Sequence, residues 1–110
     1  MSLTPAALFE LIEAGKAPRI LDVRSDVEFA RGRVPGAIHI PFQQVRQRVH
    51  EIPGSPRDEL LVYCGHGPRA WIAGAALRGL GFEHVSYLKG HMSAWRRDRL
   101  PEEHPATPKA

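Results

Sequence analysis

The chain has 110 residues, 43% hydrophobic and 25% charged, with a formal net charge of +3. That size and balance read as one soluble domain with a sizeable core, needing no disulfide or metal staple, and a single cysteine rules out an internal disulfide. No apolar run approaches the length of a membrane helix, and the positive excess is scattered rather than arranged as a basic stripe with interleaved aromatics, which argues against nucleic acid as a partner.

Met1-Ser2-Leu3 looks like a short leader, and residues 1–18 lack the basic start, apolar middle and cleavage site of a secretory signal, so a cytoplasmic location is expected. Thr4 and Pro5 then open a helix as N-cap and first-turn proline, with Leu8, Leu11 and Ile12 on one face and Gly15 ending it. Residues 19–23 form a short strand. Ser25 and Glu28 fit a capping box at the start of a helix running to about Arg31. After the turn at Val34-Pro35-Gly36 comes a small strand over 37–40. Pro41 starts a helix carrying Phe42, Val45, Val49 and Ile52 at spacings of three and four, and Pro53, Gly54 and Pro56 make a loop. Residues 60–63 are apolar without alternation, as in a strand buried on both faces. A helix over about 68–80 ends at Gly81. Residues 84–88 are the last strand and 90–97 the last helix. Residues 1–100 are taken as the domain, and 101–110, with three prolines and no large apolar residue, as a disordered tail. Alternating helices and strands point to an α/β fold with a parallel sheet.

Ligands of such sheets bind where strand C-termini meet helix N-termini, and Cys64-Gly65-His66-Gly67-Pro68-Arg69 occupies such a place. Aligned N–H groups and the positive end of a helix dipole favour a thiolate there, and Arg69 adds a full positive charge. Gly65 and Gly67 supply the unusual dihedrals that let the loop curl around Cys64 with its amides inward. Pro68 removes one donor but starts the helix well. A lone cysteine after a buried strand is more often structural. Two glycines and an arginine within five residues reverse that preference.

These residues carry a resemblance. Leu21-Asp22-Val23-Arg24, Glu28-Phe29, Gly32, Pro35-Gly36-Ala37 and Ile40-Pro41 form an N-terminal signature. Val62-Tyr63-Cys64, Gly67 and Arg69 form an active-site signature. Leu77, Gly81-Phe82, Val85, Leu88, Gly90 and Trp95 form a C-terminal one. In this order and spacing, from about Leu8 to Trp95, the chain resembles a single-domain rhodanese. The resemblance implies a five-stranded parallel sheet with helices on both faces, and sulfur transfer through a persulfide on Cys64. The implied cycle takes sulfane sulfur from thiosulfate or a similar small anionic donor and passes it to cyanide or a thiol acceptor. Gly65, His66, Gly67 and Arg69 would hold the persulfide by their N–H groups, with no cofactor and no metal. Thiosulfate is the preferred donor because Arg69 stands in a loop poor in acids. The family often has Gly-His-Ile where this chain has Gly32-Arg33-Val34, and Gly-Gly where it has Gly90-His91; neither position adjoins the cysteine loop in sequence. Ala70 replaces a common hydroxyl residue.

Three rivals remain. Cysteine phosphatases and arsenate reductases place five residues between cysteine and arginine; here there are four, a smaller cradle. A non-catalytic module of the same fold would bind a partner or regulate a neighbouring domain, but such modules usually lack the cysteine. A peroxide-sensing thiol would lack an internal resolving partner. Elsewhere, His66 reads mainly as an exposed loop residue, and Asp22, Arg24 and Glu28 as an architectural cluster. Six histidines show no ligand spacing for a metal. Trp95 reads as packing, and Trp71 as packing or as the rim of the pocket.

Overall fold

A computed structural model describes residues 2–105 of the chain. Its elements are β1 (Ser2–Leu3), α1 (Pro5–Glu13), β2 (Arg19–Asp22), α2 (Asp26–Arg31), β3 (Ile38–His39), α3 (Val45–Arg48), β4 (Leu60–Tyr63), α4 (Pro68–Gly79), β5 (Val85–Leu88) and α5 (His91–Arg97). The strands form one parallel sheet in the order β1-β5-β4-β2-β3.

Strand β4 is central, and all four of its residues are buried. Successive side chains of a strand point to opposite faces. Leu60 and Val62 accordingly enter one core with Val45 of α3 and Ala73 and Leu77 of α4. Leu61 and Tyr63 enter the other with Leu8 of α1 and Met92 and Trp95 of α5. Helices thus cover both faces, as expected. Thr4 caps α1 through Ala7, and Ser25 and Glu28 make both bonds of a capping box on α2. None of the helices in the described residues is long and apolar enough to cross a membrane.

Three expectations change. Ser2 and Leu3 form the edge strand, paired with Tyr87 and Leu88; two residues are too few to show a period. The helix expected from Pro41 divides into a 3-10 turn at Phe42–Gln44, the short α3, and a second 3-10 turn at Val49–Glu51. Its apolar spacing of three and four suits either winding, and the β-branched Val45 and Val49 add little to a regular helix. The stretch from Pro101 expected to be loose is tied down as far as Glu103. Trp95 Nε1 donates to the Pro101 carbonyl at 2.9 Å, and Glu103 exchanges main-chain hydrogen bonds with Arg33. Glu103 also accepts from the Gly36 N–H at 2.8 Å. Polar groups rather than apolar ones dock it, which is why a hydrophobicity reading passes over it. The remaining part of that expectation, residues 106–110, lies outside the described residues.

Candidate active site

Parallel strands put all their C-terminal ends on one edge, and β4 has β2 and β5 as its neighbours. The loop that leaves β4 at Cys64 is therefore flanked by the segment after β2, which carries Glu28, and by the segment after β5, which carries His91. This topology, rather than any local motif, decides what surrounds the thiol.

Within the loop, Cys64 Sγ accepts a hydrogen bond from the Gly67 N–H at 3.0 Å. Gly67 has φ +136, a conformation open to glycine and strained for other residues. A Cβ there would also stand 3.1 Å from the Trp71 ring and 3.4 Å from His91 Nε2. Gly65 differs from the expectation: its φ is not positive, and what it supplies is space, since a Cβ would lie 3.1 Å from Arg69 Nη2. The expected ring of donors is reduced. Of Gly65, His66, Gly67 and Arg69, only Gly67 has its N–H on the sulfur. Pro68 begins α4 at its first turn, as anticipated. Cys64 itself is 1% exposed, so the thiol rests enclosed rather than open.

Arg69 departs further. Its guanidinium is held by both oxygens of Glu28, at 2.6 and 3.0 Å. The Arg69 hydrogen bond, together with those from the Ser25 N–H and hydroxyl, brings the Glu28 carboxyl down to about 2. Glu28 thus does two things, capping α2 and neutralising the loop arginine, of which the sequence shows only the first. Asp22 and Arg24 form a buried ion pair at 2.7 Å, and Arg24 also donates to the Gly32 carbonyl. That is the architectural role expected of them. Tyr63, just before the cysteine, accepts from the Val34 N–H at 3.0 Å; burial pushes its hydroxyl far up, so it stays neutral.

His66 is exposed, with Nδ1 2.9 Å from Ser93 Oγ. Trp71 is 57% exposed and forms part of the rim, while Trp95 is fully buried. A cleft of about 410 Å³ runs beside the loop, lined by Ser2, His66, Trp71, Tyr87, Lys89 and His91. Cys64 is not among the lining residues.

His91, which does not adjoin the cysteine loop in sequence, joins it in space. Its Nδ1 accepts the Cys64 N–H at 3.2 Å. The next two residues bond the loop as well, Met92 N–H to the Cys64 carbonyl at 3.0 Å and Ser93 N–H to the Gly65 carbonyl at 3.2 Å. His91 is buried and has φ +56; burial lowers its pKa below the ordinary value. The available signal was a histidine where a glycine is usual. No group of three metal-ligating side chains stands together among the described residues.

Comparison with known proteins agrees with this architecture. The model of the rhodanese-like domain matches residues 4–98. A sulfurtransferase of Allochromatium vinosum is 37% identical over 82 residues, covering 74% of this chain and 75% of that protein. The thiosulfate sulfurtransferase PspE of Escherichia coli is 31% identical over 70 residues, 64% of this chain and 67% of that one. Among solved structures, the Alr3790 protein of Anabaena superposes with a TM-score of 0.82 at 30% identity, covering 93% of this chain and 91% of that one.

Proposed function

Since this chain belongs to the rhodanese-like domain family of sulfurtransferases, we propose that Cys64 carries sulfane sulfur as a persulfide between a small donor and a thiophilic acceptor. The observation that carries the reading is the placement of the chain's one cysteine. It lies at the C-terminal end of the central strand, with the Gly67 N–H on its sulfur at 3.0 Å. In the first half-reaction the Cys64 thiolate attacks the outer sulfur of thiosulfate. The S–S bond breaks and its electron pair leaves with sulfite. In the second, cyanide or a thiolate takes the outer sulfur, and the electron pair of the persulfide bond returns to Cys64. Splitting one transfer into two displacements is the gain of covalent catalysis, and a main-chain N–H aimed at the sulfur stabilises the charge it carries.

Arg69 does not support a preference for thiosulfate as simply as its sequence position suggests. Its charge is already matched by Glu28, so a dianionic donor must draw the guanidinium away or bind without it. Access also requires the loop to yield, because Cys64 is 1% exposed.

That enclosure favours a second reading, a non-catalytic domain of the same fold in which Cys64 is a packing residue. Steady-state turnover separates the two. With thiosulfate and cyanide, wild type is expected to release thiocyanate and Cys64→Ser to release none. Equal rates for both proteins would leave the non-catalytic reading standing.

A further inference from the structure

His91 is buried, charged only if protonated, and placed in a backbone conformation that L side chains avoid. The backbone does not call for a side chain here, since a glycine would satisfy φ +56 without strain. What the imidazole adds is an acceptor for the main-chain N–H of the cysteine itself, at 3.2 Å. Because that N–H donates to Nδ1, the neutral ring carries its proton on Nε2. Nε2 lies toward Gly67, 3.4 Å from where a Cβ on that residue would sit. Gly67 is the residue whose N–H holds the sulfur. One ring therefore grips the residue that carries the thiol and packs against the residue that donates to it. The Trp71 ring meets it edge-on, 6.5 Å between centroids.

We infer that His91 is a positioning residue for sulfur transfer, holding the Cys64 main chain through Nδ1 so that Sγ stays in register with the Gly67 N–H. This rests on the sulfur-transfer reading above and adds to it a group that never touches the sulfur. Protonating the ring turns its acceptor into a donor, opposite the Cys64 N–H, and the grip is lost. Burial favours the neutral form at neutral pH, so the loss is expected on the acid side. The other titratable groups around the cleft are His66 from the loop, and Tyr87 and Lys89 from β5 and its exit. Arg69 and Glu28 pair with each other over Gly65.

Two variants read the inference. His91→Gly relieves the backbone but removes the acceptor. His91→Asn restores an acceptor oxygen, tolerates a positive φ and does not titrate. Thiocyanate release is measured with thiosulfate varied and cyanide saturating, from acid to neutral pH, with thermal unfolding run in parallel. The expected result for His91→Gly is a kcat lower by roughly five- to tenfold, the worth of about one hydrogen bond. Its KM for thiosulfate should stay unchanged, with kcat partly recovered by added imidazole, while the unfolding temperature reads separately the cost of leaving the buried Cys64 N–H without its acceptor. His91→Asn should keep most of the kcat and lose the part of the acid decline that wild type owes to this ring, while His66 is still present. A His91→Gly protein as active as wild type across the pH range overturns the inference, as does an acid decline in His91→Asn identical to wild type. A wild type that never turns over overturns instead the sulfur-transfer reading on which it stands.

Discussion

Replacing Glu28 with Gln removes one carboxylate charge from the mouth of the cysteine loop and keeps the rest of its surroundings. Gln still accepts the Ser25 N–H, so the capping box survives. Only the bidentate grip on Arg69, at 2.6 and 3.0 Å, is lost. A carboxyl brought from its ordinary 4.5 to about 2 would be worth about 3 kcal/mol if fully buried. The two side chains are 36% and 30% exposed, and solvent screening reduces the contribution to about 1 kcal/mol. The expected loss in Tm is about 5 °C for a domain of this size. The pH dependence has a definite sign. The folded value lies below the unfolded one, so this stability is present above about pH 4.5 and disappears as pH falls toward about 2. The variant's stability should be flatter over that window. At the same time the freed guanidinium can meet an anionic donor, a charge-assisted contact that should raise kcat/KM for thiosulfate roughly five- to tenfold. Initial rates of sulfite release at fixed ionic strength measure this directly. A variant that loses the expected stability yet shows unchanged or lower kcat/KM would refute the claim that Glu28 competes for the arginine.

Other consequences concern the loop and its support. Tyr63→Phe leaves the buried Val34 N–H without its acceptor and should cost about 1–3 kcal/mol in chemical denaturation; a cost near zero would show that the bond is dispensable. Gly67→Ala combines φ +136 with a Cβ against Trp71, so it should cost about 1–3 kcal/mol and abolish most sulfur uptake. Gly65→Ala meets the side-chain ends of Arg69 and Glu28 at an ordinary φ and should be milder on both counts. If the two alanine variants behave alike, the distinction between space and backbone conformation in this loop is wrong.

A feature of this chain is legible in its sequence where the signal is local. Residues 60–63 gave away a buried strand because four apolar residues without alternation fit little else. The Ser25–Glu28 capping box and the Thr4-Pro5 start are read over four residues or fewer, and both hold. The parallel five-stranded architecture, implied by resemblance, also stands. What escaped was set by the sheet order. Glu28 reaches Arg69 across 41 residues of sequence, and His91 reaches Cys64 across 27, because β2 and β5 both neighbour β4. Hydrophobic periodicity carries no record of such polar contacts between strand ends. It also carries none of Glu103, whose docking is through hydrogen bonds. In the loop, Gly67 is the legible part, since its N–H lies on the sulfur; the number of amides reaching the sulfur, and the partner of the arginine, are set in three dimensions.

The most direct measurement is the intact mass of the protein after brief incubation with thiosulfate and removal of excess donor, followed by peptide mapping. One extra sulfur, localised to Cys64, removed by cyanide and missing from Cys64→Ser, is the predicted outcome. An unmodified Cys64 peptide after incubation with thiosulfate and with an organic persulfide alike would contradict sulfur transfer through this residue.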